Sequence, residues 1–146
     1  MPLRYRIVPI ISSLFILLFT YTAVTKLTHH FQFVSALHRS PLLGDFDRLL
    51  SWSVPVLELV IAGLLFIPST RKTGLFLSLL LMSLFTVYIA YMLAFTPNLP
   101  CSCGGVLKQL SWRQHLVFNT CFTLLAAIGY GLEKNTEEFI AINRGS

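Results

Sequence analysis

Four long apolar stretches divide the chain, with more polar segments between them. They cover about residues 7–27, 49–67, 73–95 and 115–132. The hydrocarbon core of a bilayer is crossed by about 20 consecutive apolar residues, so each stretch is long enough to span it as a helix. The apolar residues occupy all sides of each predicted helix, as contact with lipid requires. Four spans with short connections therefore predict an all-α integral membrane protein folded as a four-helix bundle.

A shorter amphipathic pattern follows the first span. Its apolar positions Phe31, Val34 and Leu37 fall at helical spacing, and Ser40-Pro41 ends the pattern. A helix of this kind, with one apolar face, typically lies in the membrane interface. We therefore predict a short interfacial helix over residues 28–39 within a single domain that comprises the whole chain.

Composition supports this fold class and excludes two others. Of the 146 residues, 55% are apolar and 12% are charged, and the mean hydropathy is +0.72. Soluble domains carry about 25% charged residues, so a soluble nucleic-acid module and a disordered chain are both excluded. The apolar run after Arg4 and Arg6 is too long for a signal peptide, and no A-x-A-like cleavage site follows it. We expect it to remain as the first span.

In a membrane protein the net charge of +5 indicates which connections face the cytoplasm, and it does not indicate a nucleic-acid-binding patch. Four spans place both termini and the 69–72 turn on one side, where the adjacent pair Arg71-Lys72 is the densest basic cluster. Basic residues in short connections favour the cytoplasmic side. We expect both termini in the cytoplasm of a bacterium, with the 28–48 and 96–112 connections in the periplasm.

The connection over residues 96–112 carries a Cys-x-Cys pair, Cys101 and Cys103, between two prolines and two glycines. A disulfide between cysteines this close forms a strained ring, and strain favours a labile or catalytic bond. Two other interpretations remain open at this point. The pair is then either a structural staple that stiffens the turn or a thiolate site for a soft ion such as Cu(I), with His115 as a third ligand.

Three polar or aromatic residues follow the cysteine connection at helical spacing. Trp112, His115 and Asn119 share one face at the start of the fourth span. A histidine in this position is suited to hold a thiolate or to shuttle its proton. The alternative is an interfacial tryptophan anchor beside a histidine and an asparagine that serve helix packing.

One acidic residue, Glu58, lies inside a predicted span. Ionisable groups within the membrane are costly and are by default functional, and they need a partner. Lys26, at the end of the first span, is the cation at the nearest level, although contact requires it to reach about two turns inward. The alternative is a neutral Glu58 that only locks helix packing. Cys121, in the fourth span, is expected to be a small buried hydrophobe.

Several of these motifs together resemble the MauE/DoxX family of redox-associated membrane proteins. The resemblance covers nearly the whole chain, and its most specific part is the cysteine connection with its continuation. The matching residues are Lys26-Leu27, Phe33, Ser40-Pro41-Leu42-Leu43, Pro55-x-x-Glu58, Cys101-Ser102-Cys103-Gly104-Gly105 and Leu110-Ser111-Trp112 with His115 and Asn119.

The resemblance implies a four-span bundle in the bacterial inner membrane. MauE is a methylamine utilisation protein that matures the disulfide-rich small subunit of methylamine dehydrogenase beside a thioredoxin-like partner. DoxX-type relatives accompany thiosulfate:quinone or other oxidoreductases. The resemblance therefore favours thiol–disulfide exchange with another protein as the activity.

The two lines of reasoning combine into one hypothesis. Cys101 and Cys103 cycle between dithiol and disulfide, exchanging with a periplasmic thioredoxin-fold protein or a disulfide-containing client. Lys26, Glu58 and His115 manage protons or hold an electron acceptor, for which a quinone is the candidate; Trp112 and Asn119 support them. No nucleic acid or resident metal is expected. The alternatives are a non-catalytic assembly subunit of a membrane oxidoreductase and a soft-metal capture or transport protein.

Overall fold

The computed structural model of the protein describes residues 4–38, 44–95 and 112–145, and all its regular elements in these ranges are helical. Single turns of 3-10 helix cover Gly44–Phe46 and Pro68–Thr70. The α-helices are α1 (Arg4–Thr28), α2 (His30–His38), α3 (Asp47–Phe66), α4 (Arg71–Phe95) and α5 (Trp112–Gly145). The Cys101 and Cys103 prediction concerns residues outside the described ranges.

Helices α1, α3, α4 and α5 are each long and apolar enough to cross a membrane. The all-α four-helix prediction is therefore confirmed. The short helix α2 directly follows α1, close to where the amphipathic pattern predicted one. Helix α5 differs most from its predicted span, because it continues past Leu132 to Gly145. The added segment is rich in Glu and other good helix formers and contains no proline, so the helix continues after the apolar run has ended.

The four long helices alternate in direction, so the bundle has two distinct ends. At one end α1 ends, α3 begins, α4 ends and α5 begins; we call it the Lys26 end. At the other end, called the Lys72 end, α1 begins and α5 ends. The 96–111 connection joins α4 to α5, and both helices meet it at the Lys26 end.

The core lies between the helices and is formed mainly by large apolar side chains. Phe15 of α1 meets Phe122 of α5 edge to face, with ring centroids 5.3 Å apart. Gly74 allows α4 to approach α3 closely, because a Cβ there would lie 3.0 Å from the backbone nitrogen of Leu65. The fully buried apolar residues include Phe15, Phe19, Ile61, Leu65, Leu75, Met82 and Met92.

Polar contacts also join α4 to α5 at two levels. Near mid-bundle the hydroxyls of Thr86 and Thr123 are 3.1 Å apart. At the Lys72 end, Lys72 Nζ donates to Glu137 Oε2 at 2.6 Å. The second contact lies beyond the predicted end of the fourth span, and it joins the α5 extension to the start of α4.

Candidate functional site

A buried ion pair lies towards the Lys26 end of the bundle. Lys26, in the last turn of α1, donates from Nζ to Oε1 of Glu58 in α3 at 2.6 Å. The Lys26 side chain is 11% exposed and that of Glu58 is 1% exposed. Helices α1 and α3 pack side by side, which brings the lysine inward to the level of the carboxylate. The structure thus pairs the two residues that sequence analysis considered as partners.

Two aromatic rings enclose the Lys26 ammonium group. Its nitrogen lies 5.6 Å from the ring centroid of Phe33 in α2 and 5.3 Å from that of Phe85 in α4. A desolvated cation over an aromatic face gains about 2 kcal/mol from the ring quadrupole. Sequence analysis missed the role of both rings. Phe33 was noted there as part of the short amphipathic helix and of the family resemblance, and Phe85 is one of 12 phenylalanines with no local signal.

The second oxygen of the Glu58 carboxylate keeps spare hydrogen-bonding capacity. Oε2 is buried and has no hydrogen-bond partner within the part of the chain that the structure describes. The Thr22 hydroxyl, one turn before Lys26 in α1, is close enough to interact with the carboxylate. Its hydrogen, however, is donated to the carbonyl oxygen of Phe19 at 3.3 Å. A buried acceptor without a donor costs free energy, so this oxygen is a favourable position for a proton or a donor group.

Helix α5 places one of the predicted residues near this pair and buries a second one in the bundle. Asn119 is buried, and His115 is half-buried and close enough to Lys26 for the two to interact electrostatically. Trp112 is the first residue of α5, and its side chain lies outside the description. The structure therefore brings Lys26, Glu58 and His115 together towards the end of the bundle at which the 96–111 connection joins α4 to α5.

The expectation for Cys121 is wrong. Its side chain is exposed on α5 and is not buried in the bundle. The physical reason is that lipid tails are as apolar as the interior of a membrane bundle, so a small hydrophobe has no preference for the inside. The burial statistics of soluble proteins do not transfer to this helix.

The buried pair defines what this end of the bundle can do chemically. It places a cation, a carboxylate with one free oxygen and an imidazole in a low-dielectric region, where such groups interact strongly. Groups of this kind can move protons or orient a polar molecule. Within the described ranges, no three His, Cys, Asp or Glu side chains form a potential metal site.

The chain was compared with known families and proteins. A family model described as methylamine utilisation protein MauE matches residues 4–132. The match begins with α1 and ends where the apolar part of α5 ends, so it includes the cysteine connection and leaves out the α5 extension. No curated protein and no solved structure matches the chain.

Proposed function

The chain belongs to the MauE family of membrane proteins, and from this premise we propose that it exchanges thiol and disulfide equivalents with a periplasmic protein. Its multi-pass bundle is the membrane anchor for this activity, and Cys101 and Cys103 are the reactive pair. The partner is a thioredoxin-fold protein or a client whose disulfides mature during methylamine utilisation, the process that the family's description names.

The proposed location is the bacterial inner membrane, with the cysteine connection in the periplasm. Arg71 and Lys72 begin α4 at the Lys72 end, where α1 also begins and α5 ends. Basic residues in a short turn favour the cytoplasm, which makes the Lys26 end periplasmic. An oxidising compartment there allows a disulfide to form and persist.

The exchange conserves electrons and protons. A thiolate of the reduced Cys101–Cys103 pair attacks a disulfide sulfur of the partner, and a mixed disulfide forms while one partner thiolate leaves. The second cysteine then attacks the mixed disulfide, which closes the Cys101–Cys103 bond and releases the partner as a dithiol. Two electrons pass to the partner, together with two protons, and the reverse sequence restores the reduced pair.

The observation that carries the proposal is the buried Lys26–Glu58 pair at the end of the bundle from which the cysteine connection leaves. Ionisable groups inside a membrane are by default functional. Protons leave the thiols before the partner takes them up, and His115 lies in the first turns of α5, which begins directly after the cysteine connection. His115 also interacts electrostatically with Lys26 of the buried pair. Glu58 Oε2, which lacks a donor among the described residues, is the proposed site that holds a proton until the partner takes it up.

A quinone is the proposed electron acceptor when no partner disulfide is present. A quinone would take two electrons and two protons from the dithiol, leaving a disulfide and a quinol. Lys26 and His115 would orient its carbonyl oxygens, because both are hydrogen-bond donors beside an apolar wall that includes Phe33 and Phe85.

Trapping of mixed disulfides tests the proposal directly. Cys101→Ala or Cys103→Ala leaves one thiol that forms the mixed disulfide but cannot resolve it, so a covalently attached periplasmic protein should accumulate. Cys121→Ala is the matched control, since it removes a thiol that is exposed elsewhere on the bundle. A complete absence of attached protein in both variants, with the chain still present in a larger membrane complex, would favour the assembly subunit.

A redox titration separates exchange from a structural staple and from metal capture. An exchange pair should have a midpoint above about −250 mV, whereas structural disulfides lie below about −300 mV. His115→Ala should slow alkylation of the reduced pair at neutral pH, while Gln114→Ala, one residue away on another face, should not. Tight uptake of one Cu(I) by the reduced pair that depends on His115 would instead establish soft-metal capture.

A further inference from the structure

Helix α5 carries a line of exposed side chains on the side that faces away from the bundle. Within the apolar part these are Val117, Cys121, Leu124 and Ile128. In the extension the same line continues with Asn135, Phe139 and Ile142, which are also exposed. At about 100° per residue, all seven fall within about 40° of one direction. We call this line the α5 stripe.

The opposite side of α5 holds the residues that contact the bundle. Asn119 and Ala126 are buried there, and Glu137 binds Lys72. This arrangement turns the α5 stripe away from the other three spans as far as Glu137. Beyond Glu137 the residues on every side of α5 are exposed, and Phe139 and Ile142 are its most exposed large apolar residues. Val117, Ile128 and Phe139 are eleven residues apart, a repeat that keeps a stripe nearly parallel to the helix axis.

Lipid accounts for only the first part of the α5 stripe. Arg71 and Lys72 mark the headgroup level at the Lys72 end, and Glu137 is at that level because it binds Lys72. At 1.5 Å per residue, Phe139 and Ile142 lie about 3 Å and 7.5 Å further along the helix. They are 60% and 72% exposed, yet they lie past the hydrocarbon tails that cover Val117 and Leu124.

We propose that the α5 stripe packs against the α5 stripe of a second copy of this chain. All copies cross the membrane in the same direction, so a two-fold axis along the membrane normal places the two α5 helices parallel and in register. The stripe is then self-complementary, with Phe139 next to Phe139 of the second copy. This contact buries the apolar residues that the lipid tails do not reach.

Asn135 and the flanking residues favour a second copy over an unrelated partner. A single asparagine in an otherwise apolar seam pairs with its own equivalent and fixes a parallel, two-stranded register. Glu138 lies on one flank of the α5 stripe, whereas Thr136 and Asn143 lie on the other. In a parallel pair opposite flanks meet, so Glu138 faces neutral residues and no like charges oppose each other.

Single-cysteine cross-linking in native membranes tests the proposal. The full chain is used with Cys101, Cys103 and Cys121 changed to Ser, and one cysteine is introduced by Phe139→Cys or Ile142→Cys. Zero-length oxidation should give a covalent dimer several-fold faster than with the off-stripe controls Lys134→Cys and Ile140→Cys. Equal rates at all four positions, with all four thiols accessible to maleimide, would overturn the proposal.

A charge-insertion pair gives a second, independent measurement. Phe139→Glu with Ile142→Glu should convert the purified chain in mild detergent from dimer to monomer mass. Ile140→Glu with Ala141→Glu adds the same charge to the same turn, away from the α5 stripe, and should leave the dimer intact. A monomer for the unmodified chain in both membranes and detergent would show that the lipid headgroups cover Phe139 and Ile142 instead.

Discussion

Two lysine–glutamate pairs join helices at opposite ends of the bundle, and both have an N–O distance of 2.6 Å. Lys26 and Glu58 are buried and join α1 to α3. Lys72 and Glu137 are 36% and 51% exposed and join α4 to the extension of α5. Equal geometry therefore occurs in two very different dielectric environments.

The difference between the pairs is how much each partner depends on the other. Lys72 and Glu137 can each be solvated if the other is lost, because both reach the aqueous side. Glu58 has no such alternative, and its second oxygen already lacks a partner among the described residues. The same kind of ion pair therefore contributes little to stability at the Lys72 end. At the Lys26 end each charge needs the other, because neither can be solvated by water.

The largest effect is expected from breaking the buried pair. Lys26→Met or Glu58→Gln should each lower the free energy of unfolding by about 3–5 kcal/mol, because an uncompensated polar or charged group stays buried. Equilibrium unfolding of the purified chain in mixed micelles measures this. The double variant Lys26→Met with Glu58→Met should recover most of the loss. If both single variants are tolerated equally well, the carboxyl is neutral and serves packing alone.

The next largest loss of stability is expected from disturbing the helix packing near the Lys72 end. Gly74→Ala should cost about 1–3 kcal/mol, since the new Cβ would lie 3.0 Å from backbone and side-chain atoms of Leu65. Gly63→Ala is the control, because nothing lies within 4 Å of its Cβ position. The same unfolding assay applies. A Gly74→Ala chain as stable as the Gly63→Ala chain would contradict a tight α3–α4 approach.

A smaller effect is expected from the neutral contact between the two ends. Removal of the hydroxyl–hydroxyl bond by Thr86→Val should cost about 0.6 kcal/mol, the average for such bonds between membrane helices. A double-mutant cycle with Thr123→Val isolates the bond from the loss of each hydroxyl's own backbone contact. A coupling as large as that of Lys26 with Glu58 would remove the contrast between charged and neutral contacts.

The smallest effect is expected at the exposed pair. Lys72→Met and Glu137→Gln should change unfolding only slightly, and the difference should disappear at high ionic strength because exposed charges are screened. The buried pair should show no such salt dependence. A strong, salt-independent loss from Lys72→Met would mean that the two ends of the bundle are equivalent after all.

Much of the fold could be predicted because lipid imposes a simple rule on length and hydropathy. The four spans follow from apolar runs of the required length, and α2 follows from its amphipathic spacing. The α5 extension was missed because the apolar run stops at Leu132, whereas helix propensity and the Lys72 contact continue the helix. Hydropathy predicts which residues lie in the membrane, but it does not predict where a helix ends.

The candidate site could be predicted only in part. Glu58 and Lys26 stand out because charge is rare in a span, yet their relative depth depends on how α1 and α3 slide past each other. Phe85 contacts Lys26 through tertiary packing alone, so no local pattern marks it. Thiol–disulfide exchange at Cys101 and Cys103 stays a prediction, since those residues lie outside the described ranges.

The burial of Lys26 against Glu58 also has a consequence for biosynthesis. The two residues are 32 positions apart, so Lys26 is made roughly 2–6 s before Glu58 at ~5–20 residues per second. During that interval a lysine near a helix end can extend to the lipid surface. Glu58, deeper in its helix, has no such route and must meet Lys26 as it enters the bilayer. We therefore expect a hairpin of α1 and α3 to form first during insertion, and α4 to add the Phe85 ring afterwards.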